Sequence, residues 1–404
     1  MIKIGIIGKT NTGKTTFFNS ATLLSAEIST YPFTTKKPNV GTAFVRTICA
    51  CRELGLKDSP KSSACIDGWR FIPIELIDLP GLIKGAWMGK GLGNQFLNVA
   101  AQADALLHVV DASGSVDAEG KITRPGMGNP IIDVYDIEEE LVMWLVKVIQ
   151  KNRDRALRQI EKSGSSMEEA LHQVLGGLKI KVEQVKTALR LTGLDSKNLA
   201  KWSDIETKKF AWRIRELSKP TIIVANKMDL PHAEKNFERL AEEFKGTFVI
   251  PCCSEAELAL RRAEQKEFIK YVPGEEVFKV LDETKLTKEQ KWALTYVSER
   301  VLSKWTGTGI QFALNTAVFK LLNMNVVYPV DDAMKLSDKK GNILPDALLV
   351  PYTSTVRELA KEIHTELAKT LICAIDARTG LRLPNDYILK DRDIVKIVAG
   401  AETK

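Results

Sequence analysis

Gly8-Lys9-Thr10-Asn11-Thr12-Gly13-Lys14-Thr15 decides the reading of this chain. The stretch has the complete GxxxxGK[ST] form. It stands between residues 2–7, where Ile at 2, 4 and 6 alternates as in a buried strand, and Thr15–Leu24, which reads as a helix. Strand, glycine loop and helix in that order predict the opening of an α/β sheet with an anion cradle. Backbone N–H groups from Asn11 to Thr15 would wrap phosphates at the positive end of the helix. Lys14 would pair with β- and γ-phosphates, and the Thr15 hydroxyl would ligate Mg²⁺. The candidate phosphate-binding set is therefore Gly8, Asn11, Thr12, Gly13, Lys14, Thr15 and Thr16.

Further apolar runs support a parallel sheet. Pro73–Leu79 and Ala105–Val110 end in Asp78 and Asp111, Thr221–Ala225 ends in Asn226-Lys227-Met228-Asp229, and Thr247–Ile250 stops at Pro251-Cys252-Cys253-Ser254. Strands that stop at polar residues deliver them to the carboxyl edge, where open α/β folds bind ligands. Asp78-Leu79-Pro80-Gly81 has the DxxG form: Asp78 would hold a Mg²⁺-bound water and Gly81 would turn its N–H toward a γ-phosphate. An everyday turn has the same form. Asn226-Lys227-Met228-Asp229 is NKxD, in which a carboxylate accepts the N1–H and N2–H of guanine. Adenine offers no such pair of donors, which would leave the carboxylate unmatched. Three motifs in this order, each at a strand end, point to a guanine nucleotide.

The rest of the chain is consistent with several domains: 404 residues predict two to four at roughly 100–200 residues each. About 110 residues between Asp111 and Thr221 contain no strand-like run, which predicts an insertion. Ile137–Ile160 and Ser166–Leu191 carry apolar residues at helical spacing and are expected to form a projecting, coiled-coil-like hairpin. Residues 141–220 hold 17 Lys/Arg against 9 Asp/Glu, so their excess of positive charge surpasses the +7 of the whole chain. Lys288–Trp305 and Ile310–Leu322 read as helices. Val326–Val330, Leu348–Val350, Leu371–Asp376 and Asp393–Val398 read as strands around a helix at Thr355–Leu367. The expected organisation is a nucleotide-binding domain over 1–136 and 215–272, a helical insertion over 137–214, a helical connection over 273–325 and a small β-grasp module over 326–404.

Composition excludes other classes. With 44% hydrophobic and 27% charged residues, and no apolar run near the length of a membrane span, no membrane association is expected. The first residues lack a secretory apolar segment, so the cytoplasm is the expected compartment. Six cysteines form no CxxC pair, and none of the four histidines has a metal-type ligand at i+3 or i+4 on a helical face. Reduced, buried thiols and oxygen-only metal chemistry are therefore expected.

Tyr31-Pro32-Phe33-Thr34-Thr35, Pro38-Asn39-Val40-Gly41 and Asp78-Leu79-Pro80-Gly81-Leu82-Ile83-Lys84-Gly85-Ala86, followed by Gly89-Lys90-Gly91-Leu92-Gly93, resemble the Obg-related GTPases. The likeness is to the YchF branch in an archaeal-type form. Gly341–Ala347 and Ala374–Gly380 are similar to the TGS domains appended to such proteins; together the two likenesses span about two thirds of the chain. The resemblance implies that Thr35 is the switch threonine reaching Mg²⁺, and that Lys14, Thr35 and Gly81 serve catalysis. It implies that Asn226, Lys227 and Asp229 recognise the base, with Cys253 and Ser254 in the place of a further guanine-contacting loop. Asn11 matches an asparagine that in several relatives helps bind K⁺; an asparagine that only stabilises the loop reads equally well. Leu82 stands where signalling GTPases carry a water-orienting glutamine, so slow intrinsic hydrolysis is implied. Many YchF proteins lack a proper NKxD and use ATP, whereas Asp229 keeps guanine preference here.

The leading functional reading is a GTP/GDP switch with Mg²⁺ acting on ribosomes or structured RNA, through the basic insertion and the TGS-like module. No DNA specificity is apparent. The alternatives are an RNA-binding protein with nucleotide as a structural cofactor, and a P-loop ATPase or kinase of small-molecule metabolism.

Overall fold

The computed structural model describes residues 1–22, 39–79 and 99–400. Thr35, Gly81 and Leu82, with the runs at 31–35 and 81–93, lie outside the described residues. Contacts divide the chain into two units: Lys3–Gly41 with Glu75–Ala313, and Met1–Ile2 with Thr42–Ile74 and Leu314–Lys404.

In the larger unit, β1 (Lys3–Ile7) is followed by the glycine loop and α1 (Lys14–Thr22). β1 lies between the end of β4 (Trp69–Asp78) and β5 (Ala105–Asp111), and β5 is followed in the sheet by β6 (Thr221–Asn226) and β7 (Val249–Pro251), all in parallel. Every residue of β5 is buried, as expected for a strand covered on both faces. The register pairs Ile6 with Asp78 and Asp111 with Asn226, which brings the polar strand ends to one edge.

The insertion is more broken than its periodicity suggests. A helix over Pro130–Ser163 starts on an Asn129 cap with Pro at its first position and ends at Gly164 in left-handed conformation. Ile137, Leu141, Leu145 and Ile149, spaced by four, enter one core with Ile7, Ile77 and Leu106. The expected second helix over 166–191 is two, Met167–Leu175 and Val182–Thr192, with Asp204–Ser218 following. Gly176-Gly177 makes the break, because two glycines forfeit about 1 kcal/mol each in a helix interior. Ser166–Glu169 and Ser203–Glu206 capping boxes fix two of the starts.

In the smaller unit, β3 (Ala64–Ile66) pairs antiparallel with the first part of β4. α2 (Ala50–Leu54) follows β2 (Asn39–Ile48), which sequence periodicity does not mark as a strand. A five-stranded sheet has the order β11-β10-β14-β12-β13, from β10 (Met324–Val330), β11 (Leu348–Pro351), β12 (Leu371–Asp376), β13 (Arg382–Leu383) and β14 (Ile394–Ala399). Only β10 and β14 run parallel, and Val356 and Leu359 of the covering helix pack on Val327, Ala374 and Val395. The fold is an α/β P-loop domain with a helical insertion and a C-terminal β-grasp module. The cysteine spacing offered no metal pair, yet folding brings Cys49, Cys51 and Cys65 beside Asp58, with ligand atoms within 4.8 Å of one another.

Candidate functional site

The glycine loop closes tightly on the sheet edge. Gly8 has φ 144°, and a Cβ there would stand 2.3 Å from the Val109 carbonyl oxygen; at Gly13, φ 98°, a Cβ would stand 2.2 Å from Asn226 Nδ2. Only glycine fits either place. Asn226 Nδ2 donates to the Thr12 carbonyl at 2.9 Å, while its Oδ1 accepts from Ser254 N at 3.0 Å and Ser254 Oγ at 2.9 Å. One buried amide thus joins three of the motifs that the sequence separates.

Lys14 is buried, and its ammonium donates to the Lys9 carbonyl at 2.6 Å. Burial lowers its pKa to about 8 against the opposing pull of Asp78. Thr15 Oγ1 donates to Asp78 Oδ2 at 2.9 Å, and Asn39 Nδ2 reaches the same oxygen at 3.4 Å. Asp78 Oδ1 is buried with no hydrogen-bond partner among the described residues. Burial raises the Asp78 pKa, while Thr15, Lys14 and Asn39 pull it down.

The loop carrying Asn226-Lys227-Met228-Asp229 is held from below. Lys227, at φ 65°, donates to Asp111 Oδ2 at 2.9 Å and Ser115 Oγ at 3.2 Å, and Asp111 also accepts from Ser113 and Ser115. Cys253 Sγ donates to Asp229 Oδ1 at 3.0 Å. Burial, then the Asp229 charge, pushes that thiol well above its usual range, so it stays a donor. Asn11 is exposed at φ 63°, with Nδ2 donating to the Gly120 carbonyl at 2.9 Å; Thr16 is half-buried in the first turn of α1.

Gly8, Asn11, Thr12, Gly13, Lys14, Thr15, Thr16, Asp78, Asn226, Lys227, Asp229, Cys253 and Ser254 therefore share one strand edge. Sequence reasoning missed Asp133, which pairs with Lys9 at 2.5 Å from the insertion's first helical turn, and the Ser113/Ser115 support of Asp111. Asp111 was visible as a polar strand end. Asp133, far along the chain from Lys9, carried no local signal.

Known proteins resemble this chain along most of its length. Residues 3–136 match the family described as 50S ribosome-binding GTPase, 224–332 the Obg-like GTPase YGR210-like, G4 motif-containing domain, and 339–399 the TGS domain. A GTP-binding protein of Methanocaldococcus jannaschii is 46% identical over 402 residues, covering 100% of both chains. The ribosome-binding ATPase YchF of Bacillus subtilis is 30% identical over 275 residues, 65% of this chain and 69% of that one. The crystal structure of a GTP binding protein from Pyrococcus horikoshii OT3 superposes with TM-score 0.78 at 34% identity, covering 99% of this chain and 100% of that one. With its P-loop, its complete NKxD sequence and its C-terminal module, the chain belongs to the Obg-like, YchF-type family of GTP-binding P-loop GTPases.

Proposed function

We propose that this protein hydrolyses GTP to GDP and phosphate, slowly when alone, and acts in the cytoplasm as a nucleotide switch on ribosomes or structured RNA. The observation that carries the reading is Asn226, bonded at once to Thr12 and Ser254, which ties the phosphate loop to the base-recognition loops. In this reading the loop amides and Lys14 bind the phosphates, and Lys14 gives up the Lys9 carbonyl to do so. Asp229, oriented by the Cys253 thiol, accepts the two guanine donors that adenine lacks.

The residues fit Mg²⁺: a buried carboxylate oxygen without a partner among the described residues, beside a hydroxyl, is an oxygen donor set for a hard cation. Thr15 and Thr35 would ligate the ion and Asp78 would hold it through water; the ion supplies charge to offset the phosphates. The resemblance implies that the Gly81 amide would serve the γ-phosphate. Leu82 carries no polar group to orient water, so slow turnover is expected. Asn11, whose nitrogen is held by Gly120, offers its oxygen to K⁺. The ribosome reading draws on the relative named ribosome-binding ATPase, the TGS match and the basic insertion.

Phosphate release from GTP, measured with and without ribosomes, tests the proposal. Slow release that rises with ribosomes, and co-sedimentation stronger with a non-hydrolysable GTP analogue than with GDP, are expected. Absence of both at low salt would overturn the switch on ribosomes or RNA. A rate indifferent to exchanging Na⁺ for K⁺, in wild type and Asn11→Ala alike, removes K⁺.

A further inference from the structure

Three of the six cysteines gather around one carboxylate in the smaller unit. Cys49 caps α2, Cys51 lies in that helix, Asp58 lies in the following loop and Cys65 lies in β3. Cys49 Sγ donates to Asp58 Oδ2 at 3.1 Å, Cys51 and Cys65 Sγ are 3.6 Å apart, and all four ligand atoms fall within 4.8 Å of one another. A disulfide would bring sulfurs to about 2.05 Å. Sulfurs about 2.3 Å from a tetrahedral zinc stand roughly 3.8 Å from each other, so the observed separation matches an edge of such a tetrahedron.

We propose that Cys49, Cys51, Cys65 and Asp58 form a closed, structural site for one zinc ion. Thiolates select a borderline-soft cation over Mg²⁺ or Ca²⁺, and four protein ligands leave no open position for catalysis. Arg70, fully buried, donates to Asp58 Oδ2 at 2.7 Å and to the Leu344 carbonyl at 2.6 Å. Three thiolates, a carboxylate and zinc carry a net charge of about −2, which Arg70 cuts to about −1. The ion would fasten α2 to the β3–β4 hairpin.

The proposal departs from the expectation of reduced, buried thiols and oxygen-only metal chemistry. That expectation considered CxxC pairs and helical faces, whereas these ligands come from a helix cap, a loop and a hairpin.

The test uses the full chain, purified under reducing conditions, incubated with zinc and desalted, with metal content measured by mass spectrometry and Co²⁺ titrated as a spectroscopic probe. About one zinc per chain is expected, and Co²⁺ should show a thiolate charge-transfer band and d–d bands of tetrahedral intensity. Cys51→Ser, Cys65→Ser and Asp58→Asn should each weaken binding on the order of tenfold or more, while Cys373→Ser, buried elsewhere, should not. Zinc well below stoichiometric in the wild type would overturn the site whatever the variants do. A Co²⁺ spectrum without charge transfer, or a Cys51–Cys65 disulfide seen as a mass about 2 Da lighter, would do the same.

Discussion

The sheet edge and the helical insertion of the larger unit handle charge in opposite ways. At the edge, Lys14, Asp78, Asp111 and Asn226 are at most 6% exposed and each is bonded to a named neighbour. On the insertion, Lys147, Lys151, Arg155 and Arg158 are exposed, and pairs such as Lys208–Glu139 and Arg213–Glu216 have side chains nearly half accessible. A mismatched polar group in the dry edge bears its full desolvation cost, whereas exposed charges are screened within about 10 Å at 0.1 M salt. Changes at the edge should therefore act as selective, nearly all-or-none effects. Changes on the insertion should be graded and salt-dependent.

The contrast is sharpest at Asp229. A site that hydrogen-bonds its substrate rejects an analogue lacking those groups by roughly 10⁴–10⁵, so GTP should bind far more tightly than ATP. Asp229→Asn should abolish most of that ratio while the interactions of Lys14 with the phosphates survive. Equal wild-type affinities for GTP and ATP in calorimetry would break the comparison at its strongest point.

On the insertion, Lys147, Lys151 and Arg155 lie at i, i+4 and i+8 of one helix and are exposed. Reversing all three should weaken ribosome or RNA binding on the order of a hundredfold at low salt, and should flatten the dependence of log affinity on log salt by about 0.9 for each phosphate no longer neutralised. Nucleotide affinity should not change. An unchanged slope would mean that these charges only solvate the helix, and deletion of residues 326–404 would then test the C-terminal module.

Legibility in the sequence followed the same physics. The phosphate loop, the NKxD sequence and the buried strands were visible because each is contiguous and its period follows directly from its geometry. Glycine at positions 8 and 13 was readable as loop chemistry, though not as the close approach to Val109 and Asn226. Apolar spacing on either side masked the helix break at Gly176-Gly177. Lys9–Asp133 and the Cys49–Asp58–Cys65 cluster depend on chain paths that no local window contains. β2 and β3 lack a strong alternation, and their partners decide them.

Lys14 tests whether the buried edge is tuned as well as dry. Its pKa is lowered to about 8 by burial, so above that pH the free protein carries a neutral amine. Phosphates bind the charged form, which means that nucleotide must recruit a proton as pH rises. Affinity for GTP should fall by up to about tenfold per pH unit above 8, with proton uptake visible when calorimetry is repeated in buffers of different ionisation enthalpy. A profile that stays flat well into the alkaline range would show Lys14 charged throughout and water reaching the edge.

The smallest effect concerns stability, at His108 on β5. The ring is fully buried, neither nitrogen has a partner among the described residues, and burial, then Arg215 and Lys14, lowers its pKa to about 3. In the unfolded chain the group titrates near 6.5. As pH falls below that value the unfolded state takes up a proton that the folded state refuses, so stability is lost between about 6.5 and about 3. The slope approaches about 1.4 kcal/mol per pH unit once the unfolded ring is fully charged. Asp78, Asp133 and Glu138, whose pKa values burial raises, act in the opposite sense and flatten the total. The difference between wild type and His108→Leu isolates the His108 contribution, read as amide-exchange protection of β5, corrected for the intrinsic exchange rate, from about pH 7 to about 5. Protection should fall with acid more steeply in the wild type; parallel profiles would mean that the ring finds a partner or water, and that the sheet interior is not uniformly dry.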